Sequence, residues 1–320
     1  MKKYDVVALG ELLIDFTENG KSAQGNPLFE ANPGGAPCNV LAMLTKLGRK
    51  TAFIGKVGED FFGKQLRDAI TEVKIDASGL CTDKEIHTTL AMVHTYPDGD
   101  RDFSFYRNPG ADMMLNKEEI CEELIKETKI FHFGTLSMTH EGVREATKEA
   151  IRIAEESGAL ISFDPNLRPP LWNSLDEAKE QVLYGLAHCQ ILKISDNEIQ
   201  WLTGEEDYTE GVNWIRERYQ IPLILVSMGK EGSRAYYNGI MVEVKPFLQK
   251  DTIETTGAGD TFCGCVLHYI CEHGMEGLEE NLKEMLTFAN AAASVITTRK
   301  GALRVMPTRD EIQNLLDERM

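Results

Sequence analysis

The stretch T-T-G-A-G-D at 255–260 sets two glycines and one carboxylate directly before an apolar run, F-C-G-C-V-L at 262–267. Glycines at 257 and 259 let a backbone turn tightly and aim several N–H groups at one point. A helix that begins near Asp260 adds its own unpaired N–H groups and the positive end of its dipole. Such a place suits an anion whose charge develops during a reaction, and a carboxylate at its rim can take a proton from an attacking hydroxyl. The same residues serve equally well as a plain loop with Asp260 as helix N-cap. On their own they leave both readings open.

The elements that must position this turn follow an alternating pattern. Apolar, β-branched runs at 4–10, 51–58, 130–136, 160–166, 191–195 and 223–229 read as buried strands. Between and around them, apolar residues at helical spacing mark helices at 37–48, 63–75, 141–157, 174–189, 196–204 and 209–219. A strand pair is expected over 233–245, and three helices over about 260–273, 278–298 and 308–318. Asp98-Gly99 lies between two extended runs and predicts a β-hairpin across 87–107. Repeated strand–helix–strand units require a mostly parallel sheet with helices on both faces, an α/β three-layer sandwich. The hairpin and the segment 12–33 are expected to form a small β-sheet lid inserted in a single domain. In open α/β sheets the ligand sits beyond the carboxyl ends of the strands, where every motif here falls.

Bulk composition narrows the classes. The chain has 320 residues, 42% hydrophobic and 27% charged, with a net charge of -17. An acidic surface argues against nucleic acid, which needs basic residues to neutralise phosphates. Seven irregularly spaced cysteines suit buried thiols in a reducing compartment rather than a disulfide framework. Cys263-x-Cys265 has no histidine or second pair at ligand spacing, so packing is the expected role. Asp5, Glu11 and Asp15 interrupt the first apolar stretch, so it reads as a strand rather than a signal peptide. No run approaches the ~18–20 apolar residues of a membrane span. A soluble, cytoplasmic protein is expected. Neither G-x-x-x-x-G-K-[ST] nor G-x-G-x-x-G occurs, which removes a Walker-type loop and weakens a nicotinamide oxidoreductase.

At this point the sequence resembles the PfkB (ribokinase-like) carbohydrate kinases over essentially its whole length. E-T-T-G-A-G-D-T-F-C-G-C-V-L (254–267) looks like their C-terminal signature. P-G-G-A-P-C-N-V-L-A-M-L-T-K-L-G (33–48) and A-F-I-G-K-V-G-E-D-F-F-G (52–63) look like their N-terminal one. G-E-L-L-I-D-F (10–16), R-D-F-S-F-Y-R-N-P-G-A-D-M-M-L (101–115) and F-D-P-N-L-R-P-P-L-W (163–172) most resemble the fructokinases, with a partial likeness to 2-keto-3-deoxygluconate kinases.

The resemblance implies a ribokinase-like fold and transfer of the γ-phosphoryl group of ATP to a sugar hydroxyl. D-fructose, giving fructose 6-phosphate, is the expected substrate; another sugar of the family is the alternative. Asp260 would be the base, and the amides of Gly257, Ala258 and Gly259 would hold the charge of the moving group. Asp15, Gly34, Gly35 and Asn39 would meet the sugar. Two arginines form a natural clamp for an anion; Arg107 is assigned to the sugar side and Arg168 to the phosphate side. Lys193, Ser195, Ser227, Gly229, Gly232 and Asn290 would line the ATP groove. Mg²⁺ would accompany the nucleotide, with Glu198 acting indirectly through water, in a segment where Ser195 replaces the family's Asn. K⁺ activation is implied near Glu254, where many relatives carry Asp. A homodimer through the lid would hide its sheet edges. A non-catalytic sugar sensor on the same scaffold is the competing class, but it would be expected to lack Asp260.

Overall fold

Val6, Val7, Ala8 and Leu9 have no solvent exposure, because the strand carrying them is covered on both faces. It belongs to a computed structural model that describes residues 2–95 and 101–319. The strands are β1 (Tyr4–Leu9), β2 (Leu13–Lys21), β3 (Pro27–Gly34), β4 (Thr51–Gly58), β5 (Asp76–Asp83), β6 (Leu90–Thr95) and β7 (Arg101–Tyr106). They continue as β8 (Thr128–Gly134), β9 (Leu160–Asp164), β10 (Ile191–Ser195), β11 (Leu223–Ser227), β12 (Ser233–Tyr237) and β13 (Ile240–Val244). One sheet has nine strands in the order β13-β12-β11-β10-β9-β8-β1-β4-β5. It is parallel from β11 to β5; β12 and β13 add an antiparallel edge.

Helices cover both faces. They are α1 (Ala36–Lys46), α2 (Phe61–Glu72), α3 (Glu122–Lys126), α4 (Glu141–Glu156) and α5 (Leu175–His188). The rest are α6 (Asp196–Thr203), α7 (Tyr208–Arg218), α8 (Ala258–His273), α9 (Leu278–Ile296) and α10 (Arg309–Arg319). Two apolar layers result. One joins α1, α2 and α8–α10 to the sheet through residues such as Leu41, Phe53, Val266 and Leu286. The other joins α3–α7 through Phe131, Phe133, Phe163 and Ile194. The expected three-layer α/β sandwich is what forms.

The sequence reading missed one strand of the large sheet. β5, D-A-S-G-L-C-T-D, was not among the expected strands, since its composition is that of a turn. Pairing with β4 over Ala52 to Gly58 makes it a strand regardless. The second sheet holds four strands in the order β3-β2-β6-β7, so the segments around 12–33 and 87–107 do meet. β6 and β7 pair antiparallel as a hairpin, while the Asp98-Gly99 turn lies outside the described residues. Among the described residues all seven cysteines are free and no helix is long and apolar enough to cross a membrane.

Candidate active site

The carboxyl ends of β1, β9 and β10 face the small sheet across a cavity of about 610 Å³. Asp260 stands on its wall as the third residue of α8. Gly257 is the N-cap, at φ 75, and a Cβ there would lie 2.6 Å from the Ala302 Cβ. Only glycine turns the chain so sharply against that neighbour. Gly257 and Gly259 both line the cavity, as do Thr255 and Thr256. Ala258 corrects the sequence expectation: its N–H turns back to the Thr255 carbonyl, 3.2 Å away, and the residue is not on the cavity wall. The physical reason is the αL cap before it, which closes a turn on Thr255 and uses that amide.

Asn39 reaches Asp260 from α1, with Nδ2 donating to Oδ2 at 2.8 Å. Burial raises the Asp260 carboxyl above its ordinary value; the Asn39 hydrogen bond, Lys193 and Arg168 act against the rise. The result is a carboxylate held in one orientation and more basic than a surface Asp. Lys193, the middle residue of β10, is buried and pairs with Asp164 of β9 at 3.0 Å. Burial works against its ammonium, but Asp164, Glu198 and Asp260 outweigh it and hold the pKa above the usual lysine value. Burial in turn pushes the Asp164 carboxyl up to about 6 despite that lysine. Arg168 is half-buried on the cavity wall, in the loop that Asn166 bends at φ 43. Asp15, Gly35 and Asn39 also line the cavity, and Gly34 closes β3 opposite Leu13.

Gly35 sits at φ 121, and a Cβ there would come 2.4 Å from the Glu11 carbonyl oxygen. That close approach lets α1 begin with no side-chain cap of its own. Instead the Glu11 carboxyl accepts the Ala36 N–H at 2.9 Å.

Several expected residues lie elsewhere. Arg107 is not on the cavity wall: it is buried, paired with Asp112 at 2.7 Å and donating to Thr139 and the Leu136 carbonyl. A guanidinium this deep must satisfy its charge within the protein, which fixes it as a brace for the 111–114 turn. Glu198 spends both oxygens at home. One accepts from the Ser195 N–H and hydroxyl, and the other from the Leu167 N–H. Ser195 and Glu198 form a reciprocal cap on α6. Asn290 is likewise consumed, accepting from Ser233 and donating to the Val244 and Lys245 carbonyls. It ties α9 to the β12–β13 edge. Ser227, Gly229 and Gly232 end β11 and form the next turn, beside a separate hollow of about 400 Å³ lined by Lys230, Arg234 and Lys245.

The cavity also includes residues the sequence reading passed over: Glu11, Asn166 and Asn197. Asn197 and Asn166 each sit one or two residues past a strand end, a positional signal open to any reader of the sequence. Among the described residues no cluster of three His, Cys, Asp or Glu side chains is placed to hold a metal ion.

A buried carboxylate at an amide-rich helix mouth, beside a buried lysine and an arginine, is an arrangement suited to phosphoryl transfer. The chain belongs to the pfkB family of carbohydrate kinases, whose family model matches residues 3–309. It is 40% identical to "Probable fructokinase-4" of Arabidopsis thaliana, over 97% of this chain and 96% of that protein. Its structure resembles a fructokinase with bound ATP from Xylella fastidiosa, with a TM-score of 0.89, 29% identity and coverage of 100% and 99% of the two chains. It also resembles a fructokinase from Vibrio cholerae O395 in a form with fructose, ADP and calcium ion bound (TM-score 0.87, 29% identity, 98% and 99% coverage).

Proposed function

We propose that this protein is an ATP-dependent fructokinase, moving the γ-phosphoryl group of ATP to D-fructose to give fructose 6-phosphate. The observation that carries the reading is Asp260, fixed by Asn39 at the mouth of α8. Asp260 takes the proton of the sugar hydroxyl as its oxygen bonds to phosphorus. The Gly257 and Gly259 amides, the α8 dipole, Lys193 and Arg168 stabilise the negative charge of the group in flight. Positioning and electrostatics supply most of such catalysis. Asp15, Gly34, Gly35 and Asn39 hold the sugar, and the ends of β10 and β11, with Ser195, Ser227, Gly229 and Gly232, flank the nucleotide. Mg²⁺, accompanying the phosphates, would supply neutralisation of their charge. Asn197, on the cavity wall, would meet its water shell.

Fructose is favoured over a sugar acid by the fate of Arg107. Its guanidinium is committed to Asp112, Thr139 and Leu136, so Arg168 is the arginine left on the cavity wall among the described residues. A substrate carboxylate would compete with the phosphates for it. A panel of fructose, 2-keto-3-deoxygluconate, ribose and glucose, assayed by ADP release, tests the assignment. Fructose is expected to give the highest kcat/KM; a higher value for another sugar would replace it.

Glu254 accepts the Gly301 N–H at 2.8 Å, and the Ile253 and Glu254 amides donate to the Thr297 carbonyl. This tie between two loops supports a K⁺ site beside the anion hole. Activity is expected to rise severalfold when Na⁺ is replaced by K⁺; equal rates in the two salts would remove the site. The four-stranded sheet acts as a lid that excludes water from the transfer. Its exposed Leu28, Phe29 and Tyr106 favour a homodimer through the lid in the cytoplasm. Light scattering should then give twice the chain's 35.8 kDa, and a monomer would refute it.

A further inference from the structure

Glu11 follows the end of β1 and is 4% exposed, yet it is one of the residues that line the main cavity. It also lines a narrow cleft that runs deeper, shared with His132, Asp164 and Asp260. Its carboxyl accepts hydrogen bonds from backbone N–H groups, its own and that of Ala36. An ordinary helix-capping carboxylate sits in water; this one is buried beside the cavity.

Among the described residues the surrounding charges leave it without a counterion of its own. Arg107, from the end of β7, is neutralised by Asp112 of the 111–114 turn. Lys193 of β10 is neutralised by Asp164 of β9. His132 of β8 is buried and kept neutral, its pKa pushed down to about 3 by burial and Lys193. Cys38 of α1 is a buried thiol held protonated, and Asp260 of α8 adds a negative charge. Burial accordingly raises Glu11 to about 7, with Asp112 adding to the rise and Arg107 opposing it. An acid that is neutral over part of the working range can donate as well as accept.

We propose that Glu11 is a sugar-binding residue, its carboxyl hydrogen-bonding a sugar hydroxyl within the cavity that Asp260 serves. The proposal rests on the sugar-kinase reading above but not on fructose in particular. A capping role alone would leave sugar affinity untouched, and that difference separates the two. Glu11→Ala removes the polar group; Glu11→Gln keeps an acceptor for Ala36 and a donor for the sugar but cannot ionise.

The test measures sugar binding by calorimetry, and KM for sugar and for ATP, from pH 5.5 to 8.5. The sugar used is whichever monosaccharide the wild-type protein turns over fastest. Glu11→Ala is expected to weaken sugar binding about 10- to 100-fold while KM for ATP stays within about twofold. Wild-type sugar affinity should fall as the pH passes about 7, and Glu11→Gln should flatten that dependence. Parental sugar affinity in Glu11→Ala, or equal losses for sugar and ATP, would overturn the proposal. If Glu11→Ala does not fold, the Glu11→Gln profile decides: one that still follows the wild type overturns it. A fastest sugar other than fructose would count against the substrate assignment and leave the Glu11 test intact.

Discussion

Replacing Lys193 with Met is expected to destabilise the protein by about 3–5 kcal/mol, the cost of leaving one partner of a buried ion pair alone. Lys193 and Asp164 are 6% and 3% exposed, and among the described residues no other cation bonds the Asp164 carboxylate. The loss should depend on pH with a definite sign. Asp164 already titrates near 6 in the folded protein, above the ordinary 3.8. Its favourable contribution is therefore complete below about pH 4 and declines as the pH rises through 6. Without the ammonium its folded pKa moves higher still, and the decline extends further into the alkaline range. Chemical denaturation at pH 5 and pH 8 should show the smaller deficit at pH 5. The double variant Lys193→Met/Asp164→Asn should recover much of the stability, since no bare charge remains. It should not recover activity, because the cavity wall has lost the cation to which the proposed mechanism gives a share of the phosphoryl charge.

Asp260→Asn is expected to lower kcat by about 10²- to 10⁴-fold, the usual worth of a general base. The fold should be kept, because an amide oxygen can still accept from Asn39 Nδ2. Binding of sugar and nucleotide should change little, so the loss belongs to the chemical step. In the wild type, kcat should fall on the acid side as Asp260 takes up a proton, at a pH above that of an ordinary aspartate. The variant should lack that limb.

The alternating pattern of strands and helices was legible because each buried strand is a short apolar run with its own turn signals. β5 was not, since a polar octapeptide becomes a strand only by lying against β4. Asp260, Gly257 and Asn39 could be placed from their motifs, and the structure brings them to one cavity. Arg107 could not, because sequence shows a cation's presence but not its partner, and Asp112 lies only five residues away. Glu198 carried its own warning. S-x-x-E at 195–198 is a capping box, and a glutamate that caps a helix has little left for water. The partners of Asn290 were likewise not legible: its buried amide near a sheet edge bonds Ser233 and the Val244 and Lys245 carbonyls. Glu11 was invisible as a site residue, because it looked like a polar break in an apolar strand. Only the return of α1 to the end of β1 turns it toward the cavity.

The most direct measurement is a rapid-quench single turnover of radiolabelled ATP with fructose, comparing the wild-type protein with Asp260→Asn after both ligands are shown to bind. Labelled fructose 6-phosphate should form promptly in the first and about 10²-fold or more slowly in the second. Equal transfer rates would mean that no proton leaves through Asp260, and the account of this cavity would be wrong.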